Sequence, residues 1–128
     1  MRLIAALFLT LIFSPPAMAQ PSLPGFNAEE TENARAVVSN ATFAAFCEWR
    51  SNAWAQDYLL FIVQEVAGKT RIARAASDFV ISTKDAAARE IMNGDLRGNC
   101  ARRYNPAALA EMERARGAGQ IPSLAGLR

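Results

Sequence analysis

A single apolar stretch, Ala41 to Val66, constrains the fold of this chain more than any other feature. It holds both tryptophans, four of the nine Phe and Tyr residues, and one of the two cysteines. Apolar residues recur every three or four positions through it, which is the period of a helix buried on one face. Because large apolar side chains are mostly buried in folded proteins, we expect the core to be built on this stretch.

The helical pattern is too long to be one straight helix. A helix from Ala28 to Ala67 would be about 60 Å long at 1.5 Å per residue, whereas a domain of this size is about 30 Å across. The pattern therefore predicts a bend at Ser51-Asn52, with one of these two residues capping a second helix. Asn27 and Glu30 are spaced as a capping box at the start of the first helix. Gly68 is expected to end the second helix.

Shorter helices are expected after Gly68. Thr70 is predicted to cap a short third helix, which ends in a loop at Phe79–Ser82. A short strand there is the less favoured alternative, because no partner strand is obvious. A fourth helix is predicted from Lys84 to Met92, and Asn105-Pro106 begins a fifth that runs to Arg116. Residues 95–104 are expected to form a loop or a single turn. The predicted fold class is all-α, a small irregular bundle of four to five helices.

Both ends of the chain are expected to lie outside this bundle. Residues 1–19 have the layout of a cleaved signal peptide: a charged start, an apolar run and a small-residue cleavage site. That run is about eleven residues, whereas a membrane span needs roughly 20, so an uncleaved anchor is the less favoured alternative. We expect a flexible leader at 20–26, a helical domain at 27–116 and a flexible tail at 117–128. We expect the protein to be periplasmic or secreted and to have no transmembrane segment after the signal peptide is removed.

Cys47 and Cys100 are the two cysteines of the chain, so only one intramolecular pairing is possible in an oxidising compartment. We predict a disulfide between them. It would close a loop of about fifty residues, which the chain-entropy model equates with about 4 kcal/mol. A redox-active pair is the alternative, but the C-x-x-C spacing typical of that chemistry is missing.

The chain contains no histidine, and this excludes several classes of enzyme. Ser-His-Asp and Cys-His catalysis are impossible, as are zinc and copper sites that need imidazole. No glycine-rich phosphate loop is present, so we expect no cofactor and no metal. The net charge of +2, lowered by one when Arg2 is removed, gives no indication of a nucleic-acid partner.

Carboxylates leave one enzymatic possibility open. Two suitably placed acidic side chains can hydrolyse a glycosidic bond, and the candidates are Glu48, Asp57, Glu65 and Asp78. The alternative is that these carboxylates lie in water on the polar sides of helices, as most acidic side chains do. We therefore expect a protein without catalytic activity.

Two sets of residues are candidates for binding. The first is aromatic, because the alanine-rich helices offer little bulk to cover it: Trp49, Trp54, Tyr58 and Phe61. An ordinary core is the alternative for these rings. The second set surrounds Cys100 and could bind carboxylates or phosphates, because arginine does so through two hydrogen bonds: Arg97, Arg102, Arg103 and Tyr104. A solvated turn is the alternative here.

In its layout the chain is similar to the small periplasmic acid-stress chaperones of the HdeA type. Those proteins are also short, secreted, α-helical and closed by one disulfide with about the separation of Cys47 and Cys100. The resemblance implies an envelope stress chaperone and transfers no further residue. Our leading expectation is a non-enzymatic exported protein that binds another macromolecule or itself. A small hydrolase of cell-wall glycan or lipid is the alternative from another class.

Overall fold

The computed structural model describes residues 23–127, and these residues form five α-helices. They are α1 (Ala28–Phe46), α2 (Asn52–Thr70), α3 (Ala73–Met92), α4 (Leu96–Arg103) and α5 (Pro106–Ala118), followed by a 3-10 turn, Ala125–Leu127. Residues 23–127 contain no strand, and the predicted all-α bundle with one disulfide is confirmed. The predicted signal peptide and the first residues of the leader lie outside the described range. None of the described helices is long and apolar enough to cross a membrane.

Local sequence determines where three of the helices begin. The Asn27 side chain accepts a hydrogen bond from the Glu30 N–H at 2.7 Å, and Glu30 accepts one from the Asn27 N–H at 3.0 Å. This is the capping box that the spacing predicts. Ser51 caps α2 and Asn105 caps α5 through their side-chain oxygens, also as predicted. Each of these caps needs only residues within one turn of one another.

The bend between α1 and α2 is a tight reversal of the chain. The backbone N–H groups of Trp49 and Arg50 both donate to the Ala44 carbonyl, at 2.9 and 3.2 Å. Glu48 takes a left-handed conformation with φ of 59°, which few residues other than glycine adopt. The reversal brings α2 back against α1 rather than continuing it. A break is therefore confirmed, but it spans residues 47–51 and lies slightly earlier than the predicted Ser51-Asn52.

Helix α2 ends later than predicted. It passes through Gly68 to Thr70, and Arg71 terminates it in a left-handed conformation with φ of 63°. Thr70 does not cap α3, because the N-cap residue of that helix is Ile72 and no side chain caps it. The prediction that Gly68 ends the helix is therefore wrong, because a glycine can be accommodated within a helix that packing stabilises on its other face.

Helix α3 is continuous where two short helices and a loop were predicted. Phe79, Val80 and Thr83 are all buried on the face of α3 that packs against α1 and α2. Burial of that face stabilises the helix through residues of weak helix propensity, which local patterns alone cannot reveal. Residues 95–104 also differ from the predicted loop, because eight of them form α4.

The core lies between α1, α2 and α3, with α5 covering one side. Helix α2 packs against α3, and α1 packs against both. Small residues on α1 let the helices approach closely, since Ala34, Ala41 and Ala44 are completely buried. Tyr58 lies at the centre, only 1% exposed, and its hydroxyl donates to the Met112 carbonyl of α5 at 2.8 Å.

Both segments assigned to flexible ends contribute to this core. Leu23 of the predicted leader and Leu124 of the predicted tail are each 3% exposed, and Pro122 is fully buried. Helix α5 itself continues through Gly117 to Ala118, and Gly119 ends it with φ of 67°. Glycine and proline correctly indicate irregular backbone here. They do not reveal that irregular backbone is fixed when its apolar side chains are buried.

Tyr58 provides a test of this core. Replacing it with phenylalanine removes the hydroxyl and its hydrogen bond to Met112, whose carbonyl keeps the backbone bond of α5, and the loss of one such bond typically costs about 0.5–1.5 kcal/mol. We expect Tyr58→Phe to lower the free energy of unfolding in urea by about that amount. Tyr104→Phe is the matched control, since Tyr104 is 53% exposed, and should change little. Equal effects of the two substitutions would contradict this view of the core.

The same residue predicts how stability depends on alkaline pH. Burial raises the pKa of Tyr58 above its ordinary value, the charge of Glu111 raises it further, and Arg116 lowers it. The unfolded chain therefore loses this proton near pH 10 while the folded protein keeps it, so the contribution to stability is lost as pH rises past that point. Between pH 9 and 11 the wild type should lose more unfolding free energy than Tyr58→Phe. Parallel losses would contradict the assignment.

Candidate functional site

The disulfide determines the position of α4. Cys47 at the end of α1 is bonded to Cys100 in α4, with an S–S distance of 2.02 Å and Cα atoms 5.6 Å apart. This confirms the predicted pairing. No residue of α4 is buried, so apolar packing does little to hold the helix. Asn99 adds polar contacts, donating to the Ile91 and Asn93 carbonyls at the end of α3, at 2.8 and 2.9 Å.

A groove of about 600 Å³ lies between α1 and the junction of α4 with α5. We call it the α1–α5 groove. Its walls come from one face of α1, the end of α4, the start of α5, one residue of α3 and the C-terminal segment: Glu32, Arg35, Ala36, Ser39, Asn40, Phe43, Glu90, Arg102, Arg103, Tyr104, Asn105, Ala108, Leu124 and Leu127. Its volume falls within the range of roughly 300–1,000 Å³ typical of ligand sites.

Two of the three arginines in the α1–α5 groove form ion pairs with carboxylates. Arg35 forms an ion pair with Glu32 at 2.6 Å, and Arg103 forms one with Glu90. Arg102 donates instead to the neutral side chain of Asn99. Among the described residues, Arg102 is therefore the arginine of this groove that forms no ion pair within 4 Å, although the Asp95 carboxylate lies nearby, beside Gly98. Its guanidinium keeps donors suited to a carboxylate or phosphate.

A second, shallower groove of about 480 Å³ lies beside the disulfide, lined by Trp49, Arg50, Cys100, Ala101 and Tyr104. The Trp49 and Tyr104 rings are 5.2 Å apart between centroids and inclined at 58°, a favourable arrangement for two aromatic rings. Arg50 is paired with Glu113 at 2.7 Å. Tyr104 lines both grooves and so links the disulfide to the α1–α5 groove.

The aromatic residues predicted to form one binding surface lie in different parts of the structure. Tyr58 and Phe61 are buried, so they belong to the core and not to a binding surface. We expected alanine-rich helices to leave these rings uncovered, but Met112 and Arg116 cover them. The guanidinium of Arg116 lies 4.5 Å from the centre of the Phe61 ring. Trp54 is half-buried and packs on the same core.

Of the predicted arginine cluster, Arg102, Arg103 and Tyr104 come together in the α1–α5 groove, and Trp49 meets Tyr104 beside it. Arg97 is exposed on α4 and lines neither groove. Five positions along a helix separate Arg97 from Arg102, which turns the two side chains toward different directions. Of the candidate residues around Cys100, two arginines and a tyrosine therefore form a cluster, and Arg97 is not part of it.

The four candidate carboxylates do not form a site. Glu48, Asp57 and Asp78 are exposed, Glu65 is half-buried, and none of them lines either groove. Asp57 interacts with Arg116 at 3.2 Å. Within residues 23–127, no cluster of three or more His, Cys, Asp or Glu side chains could hold a metal. This arrangement lends no support to a carboxylate-dependent hydrolase.

We did not predict two features at the α1–α5 groove: Asn40, which lines it from α1, and the C-terminal segment that forms one wall. Asn33 lies outside the lining, where it bonds that segment. Asn33 and Asn40 are seven residues apart and therefore lie on one face of the helix. Asparagine inside a helix has poor propensity, so this repeated position could have indicated a role outside the helix.

Comparisons with known families, curated proteins and solved structures find no match.

The disulfide can be tested by its effect on α4. In a Cys47→Ser, Cys100→Ser double variant, the covalent link across 53 residues is removed, which should cost about 4 kcal/mol of stability. We expect amide hydrogen exchange to lose protection throughout the bundle, because global stability falls, and to lose more protection in α4 than in α1, α2 and α3. The oxidised wild type is the control. Retained protection in α4, or equal loss in all four helices, would contradict the anchoring role.

Proposed function

We propose that this chain is an exported, non-enzymatic helical protein that binds another protein in the α1–α5 groove. The observation that carries the proposal is Arg102, which lines the groove and forms no ion pair within 4 Å among the described residues. Arginine in such a position favours an acidic partner group, because a charge-assisted hydrogen bond is about twice as strong as a neutral one.

Rigidity of the groove supports this proposal. The disulfide and Asn99 fix α4, and Asn105 caps the helix that follows, so the residues from Arg102 to Asn105 are anchored at both ends. A partner would bind with little loss of conformational freedom in the groove. Tyr104 adds an exposed aromatic ring, a residue type enriched in protein interfaces.

Export is proposed from two separate features. The first nineteen residues have the layout of a signal peptide. The Cys47–Cys100 disulfide is a bond that persists in oxidising compartments and is rare in reducing ones. Both features favour a periplasmic or secreted protein.

An envelope stress chaperone is the second candidate, favoured by apolar side chains at the surface. Leu60 is 63% exposed and Ile81 is 57% exposed, on α2 and α3 respectively. Exposed aliphatic residues can contact unfolded chains. They lie outside the lining of both grooves, so this function would use a different surface.

Photo-crosslinking in the exported protein distinguishes these surfaces. A benzoylphenylalanine at Tyr104 should crosslink a protein partner in cell-envelope preparations, and the adduct should decrease at least tenfold with Arg102→Glu. Arg97→Glu is the matched control, because Arg97 lies on the same helix outside the groove, and should leave the adduct unchanged. An adduct that forms equally with Arg102→Glu, or that forms from position 60 instead, would contradict the proposal.

A further inference from the structure

A C-terminal segment of this chain forms one wall of the α1–α5 groove and is held in place by side-chain amides. Asn33 of α1 donates from Nδ2 to the Pro122 carbonyl at 2.6 Å and accepts at Oδ1 from the Leu124 N–H at 2.9 Å. Asn105 donates to the Leu127 carbonyl. Leu124 is 3% exposed, and together with Leu127 it lines the groove. Residues 121–124 and the 3-10 turn that follows them are thus held against the bundle by side-chain hydrogen bonds and by the burial of Leu124.

Asn33 bonds only main-chain atoms of the segment, so these hydrogen bonds do not depend on the side chains of the bound residues. A side-chain amide carries both a donor and an acceptor, so it can satisfy a carbonyl and an N–H of an extended backbone together. Peptide-binding proteins commonly obtain affinity from such main-chain bonds and specificity from side-chain contacts. Asn33 supplies the first kind of contact in this chain.

Asn40 repeats the position of Asn33 two turns further along α1. Seven residues of helix advance about 10 Å, and an extended chain covers that distance in about three residues. Asn40 lines the groove, and among the described residues its side chain bonds only to the Ala36 carbonyl of its own helix, at 2.9 Å. Its Oδ1 and second amide hydrogen remain for an extended backbone that lies in the groove.

The dimensions of the groove suit a short peptide. Its α1 wall runs from Glu32 to Phe43, which is about three turns or 16 Å of helix. An extended chain of about five residues covers this length. Arg102 lines the same groove from α4, so a peptide that lies along α1 can be contacted by both Asn40 and Arg102.

We infer that the α1–α5 groove recognises an extended acidic peptide segment of its partner, with Asn40 bonding the main chain and Arg102 bonding an Asp or Glu carboxylate. This inference rests on the proposed function and names the chemistry of the partner. The acidic preference follows from pairing within the groove, because Glu32 and Glu90 are each already bonded to an arginine.

A displayed library of random heptapeptides, selected on the immobilised chain from Gln20 onward, tests the inference without assuming a partner. We expect enriched peptides that contain Asp or Glu. Synthetic copies should bind in fluorescence anisotropy, and their affinity should fall about tenfold when the peptide carboxylate is changed to the amide. Arg102→Ala and Asn40→Ala should each weaken binding at least fivefold. The matched controls Arg97→Ala and Asn52→Ala should not, and circular dichroism verifies that every variant is folded.

The outcomes separate this inference from the proposed function. Failure to enrich peptides, enrichment of peptides without acidic residues, or binding that is unaffected by both Arg102→Ala and Asn40→Ala would overturn the inference. If the crosslink from position 104 still depends on Arg102 in that case, the proposed function survives, and the partner presents a folded surface rather than an extended segment. Loss of that dependence overturns both.

Discussion

The Cys47–Cys100 disulfide is the interaction on which the arrangement of this molecule depends. Helix α4 buries none of its residues, so the hydrophobic effect that assembles α1, α2 and α3 does little for it. A covalent link across 53 residues contributes about 4 kcal/mol by restricting the unfolded chain, compared with the roughly 5–15 kcal/mol that stabilises a typical domain. Arg102, Arg103 and Tyr104 end the helix that this bond holds in place, so the groove and the stability of the fold depend on one linkage.

Close packing of small residues explains why the aromatic stretch became a core rather than a surface. Fully buried alanines on α1 allow neighbouring helices to approach, so rings from α2 are enclosed by backbone and by aliphatic side chains. Long side chains complete the cover, as with Arg116 over Phe61. The area of an alanine side chain is thus a poor guide to what an alanine-rich helix can cover. What matters is how near such a helix can come.

Features that depend on neighbouring residues in the sequence were predictable, and features that depend on tertiary contacts were not. The caps at Asn27, Ser51 and Asn105 and the single possible cysteine pairing follow from local chemistry and from counting. The continuity of α3 depends on what its buried face meets. Of the candidate site, Arg102, Arg103 and Tyr104 were identified because they adjoin a cysteine. Asn33 was missed because its partners, Pro122 and Leu124, are about ninety residues away.

The C-terminal segment and a bound peptide would share one surface, and this makes their stabilities interdependent. Leu124 and Leu127 form part of the groove wall, so a peptide that packs beside them binds only when the segment is in place. A ligand that binds one state of a protein stabilises that state, and the coupling between two such events is reciprocal. A partner bound in the groove would therefore stabilise the segment in the position where Asn33 and Asn105 bond it. Release of the segment would in turn lower the affinity for the partner. The two walls are held differently: the disulfide holds the α4 wall covalently, whereas hydrogen bonds and two buried side chains hold the C-terminal segment. Coupling to a bound peptide is therefore expected at the segment rather than at α4.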